Sequence, residues 1–519
     1  MKFIKLFLLA LTLFLLPIEH IKADDDTQKA ITSVFPIRGF HLDLRIQVMK
    51  LTALKDLALQ LKHSGINTLI MEYEASFPYE KHAIVSSRYA YTKAELIDFI
   101  QYCKGLGIDV IPLQQSFGHL EYLLKNNRYA DLREDQKDFS QVCPSKEKLN
   151  KALFTALYSE LAAIHPSKYI HIGGDETHLL GHDAACKAKV EQLGVSKLYG
   201  DHIKMLCDIV IGLGKIPVLW ADIALKYPDA IKELPKEAIF VDWNYGWDLN
   251  KFGNHEKLMQ AEHEVWGAVS LRSNPDNYNL TLWKKHFNNI HDFLPAARNL
   301  NYNGMIMTSW STSGVYGVVN ESGYDIVDLY PVRRVYPLPA FHMLIAAFAE
   351  ALTTIKPLNT DTFITNYSRD NYGFNPTEAK QFWEALKTAP YEVGMGKVKG
   401  PLSLATLLDS AKMAAQWLKS LHPLKHKTEF EQYVLMAQIR VQYLTYQVIE
   451  SRLNSATLDK ETISLSIKQL ETVLGNTKKT NQQFIELNSE YFYRSELQED
   501  NQLCIQKMQL LYDRLSKNR

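Results

Sequence analysis

Eight short apolar runs between residues 35 and 310 constrain the fold of this chain more than any other feature. Each run is rich in β-branched and aromatic residues and is short enough to form a single strand. Segments of helical length or periodicity separate the runs, and this alternation predicts an α/β fold, the (β/α)8 TIM barrel. The eight predicted strands are residues 35–44, 67–73, 109–114, 169–173, 216–220, 238–243, 264–271 and 304–310.

Helix signals lie between these runs. Thr92 and Ser145 are predicted N-caps, and Gly65, Gly105 and Gly214 are predicted helix ends. In such a barrel the chemistry is carried at the C-terminal ends of the strands, and this chain concentrates Asp, Glu, His, Trp and Tyr there. The predicted helices are residues 51–63, 93–106, 146–164, 197–213 and 283–300.

The pattern changes near residue 360. Long segments with leucines at helical spacing replace the strand-like runs. We therefore predict a catalytic barrel over residues 35–355 and a C-terminal helical domain over residues 360–519. The helical domain shows no catalytic cluster, so we expect it to pack on the barrel or to form a homo-oligomer contact.

The first 23 residues predict a signal peptide. Lys2 and Lys5 precede an apolar run, and Ala23 offers a cleavage site before Asp24. We therefore expect the protein to be exported, to the periplasm or the extracellular space. No later apolar run approaches the roughly 20 residues that span a bilayer, so no membrane span is expected.

Charge gives no reason to expect a nucleic-acid partner. The chain has 58 basic and 58 acidic residues, and cleavage would remove Lys2, Lys5, Lys22 and Glu19, which leaves a formal charge of minus 2. The five cysteines are widely spaced and include no C-x-x-C pair. They indicate neither a zinc knuckle nor a disulfide scaffold, although one or two disulfides remain open.

The end of the fourth predicted strand is the strongest signal for chemistry. Gly173 and Gly174 are followed directly by Asp175 and Glu176. Two adjacent carboxylates repel one another when both are charged, which favours a protonated partner that can act as an acid. Glycines there let a sugar ring approach the backbone. We predict that this pair is catalytic.

The segment from His171 to Glu176 is similar to the H-x-G-G-D-E signature of glycoside hydrolase family 20, the β-N-acetylhexosaminidases. The resemblance covers about residues 35–350 and looks closest to the hexosaminidase D-like branch. It implies that Asp175 and Glu176 are catalytic and that a further set of residues binds substrate. Tyr245 is the preferred tyrosine for the acetamido oxygen, with Tyr278 second. The implied binding residues are Arg38, Glu74, His119, Trp220, Trp243, Tyr245 and Trp310.

The resemblance also implies a retaining, substrate-assisted mechanism. The 2-acetamido oxygen of the substrate would attack the anomeric carbon, so the enzyme would supply no nucleophile. Asp175 would hold the acetamido N–H, and Glu176 would act as acid and then as base. The substrate would be a glycan with a terminal β-linked N-acetylglucosamine or N-acetylgalactosamine, and neither a metal nor a cofactor is expected.

Other interpretations stay open. Glu176 could act with Glu74 or Asp222 in a two-carboxylate glycosidase, or the barrel could bind glycans without catalysis. His171 is expected to be structural. His178 and His182 have the spacing of a metal half-site but are more typical of a solvated helix face. Many family members carry a glutamate two residues after the tryptophan of strand eight, whereas this chain has Thr312 two residues after Trp310. This difference leaves the sugar preference open.

Overall fold

The computed structural model describes residues 35–273, 276, 280–311, 335–336, 338–388, 393–394, 397–398, 400–454 and 459–517. The predicted signal peptide, residues 1–23, and Tyr278 lie outside these ranges. Among the described helices, none combines the length and the apolar character needed to cross a bilayer.

Eight parallel strands close into a barrel in sequence order, with β8 paired to β1, which confirms the predicted α/β barrel. Each predicted run matches one strand to within two residues at either end, and β7 extends one residue beyond its predicted run. The strands are β1 (Ile37–Asp43), β2 (Thr68–Glu72), β3 (Asp109–Leu113), β4 (Tyr169–His171), β5 (Ile216–Trp220), β6 (Ile239–Trp243), β7 (Val265–Arg272) and β8 (Gly304–Ser309).

Ten described helices follow or connect the strands. The longer ones form the outer layer of the barrel, and their apolar faces pack on the strands. They are α1 (Leu51–His63), α2 (Lys93–Gly105), α3 (Glu121–Leu124), α4 (Glu147–Ile164), α5 (Ala184–Leu193), α6 (Val195–Gly212), α7 (Asp222–Lys226), α8 (Glu256–Gln260), α9 (Trp283–Asn299) and α10 (His342–Thr353).

The two predicted N-caps differ in outcome. Thr92 accepts a hydrogen bond from the Glu95 N–H, and the Glu95 carboxylate accepts from the Thr92 N–H, so α2 begins with a complete capping box. The prediction for Ser145 was wrong, because α4 begins at Glu147 and has no side-chain cap. The Ser145 hydroxyl instead lies 3.0 Å from the sulfur of Cys186.

The barrel interior is filled by apolar side chains at its base and middle and by polar ones towards the C-terminal rim. Ile70, Ile111, Val218, Trp266 and Ile306 belong to the same buried cluster inside the sheet. The barrel is therefore a packed core rather than a pore, and ligands can enter only at the rim.

Six helices make up the C-terminal part of the described chain. The predicted boundary, residues 355–360, falls between α10 and the first of them. They are α11 (Thr360–Tyr372), α12 (Pro376–Lys387), α13 (Leu404–Ser420), α14 (Lys427–Leu453), α15 (Lys460–Asn488) and α16 (Arg494–Lys517), with two short paired strands, β9 (Val393–Gly394) and β10 (Lys397–Val398), between α12 and α13.

The apolar core continues from the barrel into these helices. The ring of Phe287 on α9 lies 5.2 Å from that of Trp383 on α12, and the ring of Trp283 lies 5.7 Å from that of Tyr433 on α14. Met49, just before α1, forms an antiparallel bridge with Phe492. The helices thus complete the hydrophobic core of the barrel as well as adding one of their own.

Candidate active site

A cavity of about 310 Å³ opens at the C-terminal rim of the barrel. The last residues of β5 and β6 and the loops after β1, β3, β4, β6, β7 and β8 contribute side chains to its wall, as expected for the functional face of such a barrel. The lining residues are Arg45, His119, Asp175, Glu176, Trp220, Trp243, Tyr245, Trp247, Lys251, Phe252, Ser273 and Trp310.

The two glycines after β4 direct the neighbouring carboxylates into this cavity. Gly173 and Gly174 have φ angles of 70° and 93°, a region that other residues rarely adopt. A Cβ on Gly173 would also collide with the side-chain oxygen of Gln115. Glycine at this position is therefore required both by the turn and by the close approach of the β3 loop.

The two carboxylates have different surroundings. The side chain of Asp175 is 8% exposed, whereas that of Glu176 is 41% exposed. Glu176 has a φ of 48°, and its backbone N–H donates to Asp222 Oδ2 at 3.0 Å. The chain thus holds one carboxylate inside the cavity and presents the other to an incoming ligand.

His119 joins the pair from the loop after β3. Its Nε2 lies 3.4 Å from Asp175 Oδ2 and 3.2 Å from Glu176 Oε2. The backbone approaches closely here, because a Cβ on Gly118 would collide with the carbonyl oxygen of Asp175. The sequence Gly118-His119 is thus explained by the need to bring the imidazole to both carboxylates.

Opposite charges hold Asp175 and His119 in their ionised forms. Burial alone raises the pKa of Asp175, but the facing His119 outweighs it and lowers that pKa below its ordinary value. Burial likewise lowers the pKa of His119, and the Asp175 carboxylate outweighs it and raises that pKa well above its ordinary value. The pair is therefore a buried ion pair at the edge of the cavity.

Asp222 lies behind the pair as a third carboxyl group. It is buried, and it accepts hydrogen bonds from the Glu176 N–H and, at 3.3 Å, from the indole N–H of Trp243. Burial, followed by the charge of Asp175, raises the pKa of Asp222 to about 8. It does not line the cavity, so its role is to fix Glu176 and Trp243.

Aromatic side chains form the opposite wall, and the structure brings together all four predicted aromatic residues. The rings of Trp220 and Trp310 lie 5.7 Å apart, and those of Trp243 and Tyr245 lie 5.0 Å apart. The indole N–H of Trp310 donates to the Tyr245 hydroxyl at 2.8 Å, and Thr308 Oγ1 lies 3.0 Å from the same oxygen. The hydroxyl of Tyr245 is thereby fixed within the cavity wall.

The structure corrects the placing of Arg38. This residue is second in β1, at the opposite end of the barrel, where its guanidinium donates to the carbonyls of Gly65 at 2.7 Å and Phe35 at 3.0 Å. The arginine at the cavity is Arg45, two residues after β1 ends. Counting from the C-terminal end of the strand, rather than from the glycine after Arg38, would have selected it.

Arg45 is held rigidly. Its guanidinium donates to both oxygens of Asp43 at 3.1 Å and packs on the ring of Trp310, with 5.2 Å between Cζ and the ring centroid. Its Nε lies 3.5 Å from Glu72 Oε1. A buried guanidinium whose charge is balanced by two carboxylates, and which lies at a cavity wall, is suited to binding hydroxyl groups, because it does not need to move to do so.

Glu74 does not reach the cavity. It is fully buried beneath the rim, and burial, followed by the charge of Glu72, raises its pKa well above its ordinary value. The sequence placed Glu74 among the residues that bind substrate. The structure places it instead in a buried layer near Arg45, where the two charges interact. Glu72 Oε2 lies 2.8 Å from His41 Nε2, so this layer links several buried polar groups.

The other histidines that the sequence singled out, His171, His178 and His182, do not line the cavity. His171 is buried, its Nδ1 accepts from the Gly173 N–H at 3.1 Å, and burial lowers its pKa to about 3, so it is neutral. His178 and His182 are exposed, and neither belongs to a three-residue metal-ligand group within the described chain.

Besides Arg45, four lining residues were not anticipated, and Ser273 after β7 is one of them. Trp247, Lys251 and Phe252 follow β6, and the Lys251 ammonium lies 3.7 Å from the centroid of the Trp247 ring. The ring of Phe252 lies 4.6 Å from that of Trp243. The two aromatic residues, Trp247 and Phe252, so soon after the predicted sixth strand, were the available signal.

A closed parallel barrel with a buried carboxylate, an exposed carboxylate and an aromatic wall at its C-terminal rim defines a barrel enzyme that acts on carbohydrate. The catalytic-domain model of glycosyl hydrolase family 20 matches residues 44–310, which is just over half of the 519-residue chain. The chain belongs to this family and is a glycoside hydrolase.

Individual relatives are similar to more than half of this chain. Hexosaminidase D of Bos taurus is 28% identical over 302 residues, which is 55% of this chain and 87% of the relative. Hexosaminidase D of Homo sapiens is 28% identical over 305 residues, 55% of this chain and 62% of the relative. A solved β-N-acetylhexosaminidase structure from Bacteroides fragilis has 19% identity and a TM-score of 0.46, and covers 64% of this chain and 70% of that one.

Proposed function

We propose that this enzyme removes terminal β-linked N-acetylglucosamine or N-acetylgalactosamine from glycans by substrate-assisted, retaining hydrolysis. The observation that carries the proposal is the state of Asp175. Its Oδ2 faces His119, whereas its buried Oδ1 has no hydrogen-bond partner among the described residues. A buried, charged acceptor without a donor is costly, so a ligand N–H is expected there. The acetamido N–H of the substrate supplies this donor.

In this mechanism Asp175 orients the 2-acetamido group while its oxygen attacks the anomeric carbon. The negative charge of Asp175, which His119 maintains, stabilises the positive oxazolinium that forms. Glu176, as the exposed carboxyl group, protonates the departing glycosidic oxygen and then removes a proton from the water that opens the intermediate. Glu176 thus gives one proton to the leaving group in the first step and regains one from water in the second, so it returns to its starting state.

The aromatic wall supports the positioning of the acetamido group. Trp220, Trp243 and Trp310 offer apolar surface for its methyl group, and the Tyr245 hydroxyl lies on the same wall as a donor for its oxygen. The cavity of about 310 Å³ is at the small end of ligand sites, which suits a single sugar ring. This size favours release of one terminal residue at a time.

The two-carboxylate alternative finds less support. A protein nucleophile would have to reach the anomeric carbon from the cavity wall. Asp222 is buried behind Glu176 and occupied by two hydrogen bonds, and Glu74 is buried beneath the rim. Among the described residues, Asp175 and Glu176 are the carboxylates that line the cavity.

A panel of nitrophenyl glycosides tests the proposal. We expect release of nitrophenol from the β-N-acetylglucosaminide or β-N-acetylgalactosaminide, and inhibition by a thiazoline that mimics the cyclised intermediate. The β-glucoside, which lacks the acetamido group, is the matched control and is expected to remain intact. Comparable cleavage of the β-glucoside would rule out substrate assistance.

We also propose that the enzyme is exported, on the basis of the basic and apolar pattern of residues 1–23. Cell fractionation with an activity assay, followed by N-terminal sequencing, tests this. The mature protein is expected to begin at Asp24 and to be found outside the cytoplasm. Retention of residues 1–23 on active cytoplasmic protein would contradict it.

A further inference from the structure

A second cluster of chemically active side chains lies outside the cavity. Glu134, Cys143 and Cys186 are all buried, and they offer one carboxylate oxygen and two sulfurs that lie within 4.8 Å of one another. The two sulfurs are 3.3 Å apart, and Cys186 Sγ is 3.2 Å from Glu134 Oε2. It is the one group of this kind among the described residues.

The spacing of these atoms is close to that of a zinc site. With Zn–S and Zn–O bonds of about 2.3 Å and 2.0 Å, tetrahedral coordination separates two sulfurs by about 3.8 Å and a sulfur from an oxygen by about 3.5 Å. The observed distances are shorter by a few tenths of an ångström, and small side-chain rotations would lengthen them to the values of a zinc site. A disulfide would need a much larger movement, to an S–S distance of about 2.05 Å.

The charge of the cluster also favours a cation. Glu134 is 3% exposed and forms no ion pair with a basic side chain within the described part of the chain. Its Oε1 accepts from the Asp183 N–H at 3.0 Å, and its Oε2 faces Cys186. A buried carboxylate is normally paired with a cation or bound to a metal, and here two thiols converge on the same point.

We propose that Glu134, Cys143 and Cys186 bind a structural Zn²⁺ ion. Two thiol protons are released on binding, and the metal takes two thiolates and one carboxylate oxygen as ligands. We assign the fourth ligand to the Ser145 hydroxyl, whose oxygen lies 3.0 Å from Cys186 Sγ. A site that is closed by four protein ligands holds the surrounding loops together and leaves no open position for catalysis.

The site joins the two loops that carry the catalytic groups. Cys143 belongs to the long loop after β3, where the Val142 N–H donates to the carbonyl of Phe117, two residues before His119. Cys186 belongs to α5, which follows the β4 loop with Glu176. Leu179, three residues after Glu176, is tied to the first loop through its N–H and Gln141 Oε1 at 2.9 Å. A metal here fixes His119 and Glu176 relative to one another.

Metal analysis and thiol titration of the full-length wild-type protein, purified without chelator or added reductant, test the proposal together. We expect about one zinc per chain and five thiols after denaturation with a chelator, because the chain has five cysteines. Three thiols without metal would indicate a disulfide and overturn the proposal. Five thiols without zinc, even after dialysis against Zn²⁺, would overturn it as well.

Matched variants locate the site. Cys143→Ser and Cys186→Ser are each expected to lower zinc content at least tenfold and to increase hydrogen exchange in residues 117–146 and 177–186. Cys103→Ser is the control, since Cys103 is equally buried but lies outside the cluster. Full zinc content in both cluster variants would refute the assignment. Metal content is read without substrate, so this result is independent of the proposed glycosidase activity.

Discussion

At the scale of single residues, the site depends on an asymmetry between two neighbours. Asp175 is buried against His119, and Glu176 is open to the cavity, although they are adjacent in the chain. The positive φ of Glu176 produces the asymmetry, because it turns the second side chain away from the first. The order of the two residues therefore matters, and exchanging them would not preserve function.

This asymmetry predicts different behaviour for two amide variants. Asp175→Asn and Glu176→Gln are each expected to lower kcat/KM by about 10²–10⁴-fold, the usual range for such groups. With an activated nitrophenyl leaving group, azide should restore turnover only in Glu176→Gln, because that variant still forms the intermediate and lacks only the base. Rescue of Asp175→Asn by azide would contradict the assigned roles.

The ion pair between Asp175 and His119 predicts a pH-dependent stability. The raised pKa of folded His119 contributes stability that is complete below its unfolded value of about 6.5 and is lost as pH rises through the folded pKa. The lowered pKa of Asp175 contributes stability that is present above about 3.9 and is lost as pH falls through its folded pKa.

Urea unfolding measures the effect. The wild type should exceed His119→Gln in free energy of unfolding most strongly between about pH 4 and 6.5, and the difference should shrink towards alkaline pH. His178→Gln is the control, since His178 is exposed. A difference between wild type and His119→Gln that grows above pH 6.5 would contradict the ion pair.

At the scale of elements, β1 shows what a strand can and cannot reveal in sequence. The number, order and approximate positions of the eight strands follow from apolar runs, because a buried parallel strand leaves such a run. The end of a strand leaves no equally sharp mark. Arg38 lies near the start of β1 and Arg45 lies two residues after its end, and only the direction of β1 shows that Arg45 reaches the cavity.

The two arginines of this strand make a matched test. Arg45→Ala is expected to lower kcat/KM roughly 10- to 100-fold, because a charged hydrogen-bond donor to the substrate is worth about 1.5–3 kcal/mol. Arg38→Ala should leave kcat/KM within about twofold and reduce only the free energy of unfolding, since it loses backbone contacts at the base of the barrel. Steady-state kinetics and urea unfolding of both variants decide this, and a larger kinetic loss in Arg38→Ala would refute it.

Long loops limited the prediction of the site in a different way. Asp175, Trp220, Trp243 and Trp310 could be predicted, because each lies in or shortly after an apolar run that marks a strand. Cys143 and Cys186 come together only through the fold of the loop after β3, and their separation of 43 residues carries no local pattern. Interactions of this kind are set by tertiary packing, which periodicity does not encode.

At the scale of the whole molecule, the helices and the barrel share one apolar core. Besides the aromatic contacts of α9 with α12 and α14, the ring of Tyr89 stacks on that of Tyr493 at 5.0 Å. The predicted boundary at residues 355–360 separates two patterns in the sequence, and this core crosses it. Formation of a homo-oligomer through the helices stays a prediction, which light scattering would test.

The shared core predicts that the barrel does not fold alone. A chain ending at residue 355 would expose Trp283, Phe287 and the other side chains that α12 and α14 cover, a loss of well over the 5–15 kcal/mol that stabilises a typical protein. We expect it to aggregate or to lack a near-ultraviolet circular dichroism signal, whereas the full chain prepared in parallel shows one. A soluble, active fragment would show that the helices are dispensable.

The bridge between Met49 and Phe492 has a consequence for synthesis on the ribosome. Its partners are 443 residues apart, so the segment after β1 is made long before the segment that covers it. Contacts of such sequence separation form slowly, and the emerging chain must wait with apolar surface uncovered. A chain that is exported across a membrane meets the same delay. Nascent molecules of this enzyme should therefore depend on chaperones for most of their translation, and should become protease-resistant only after the last helix has been released.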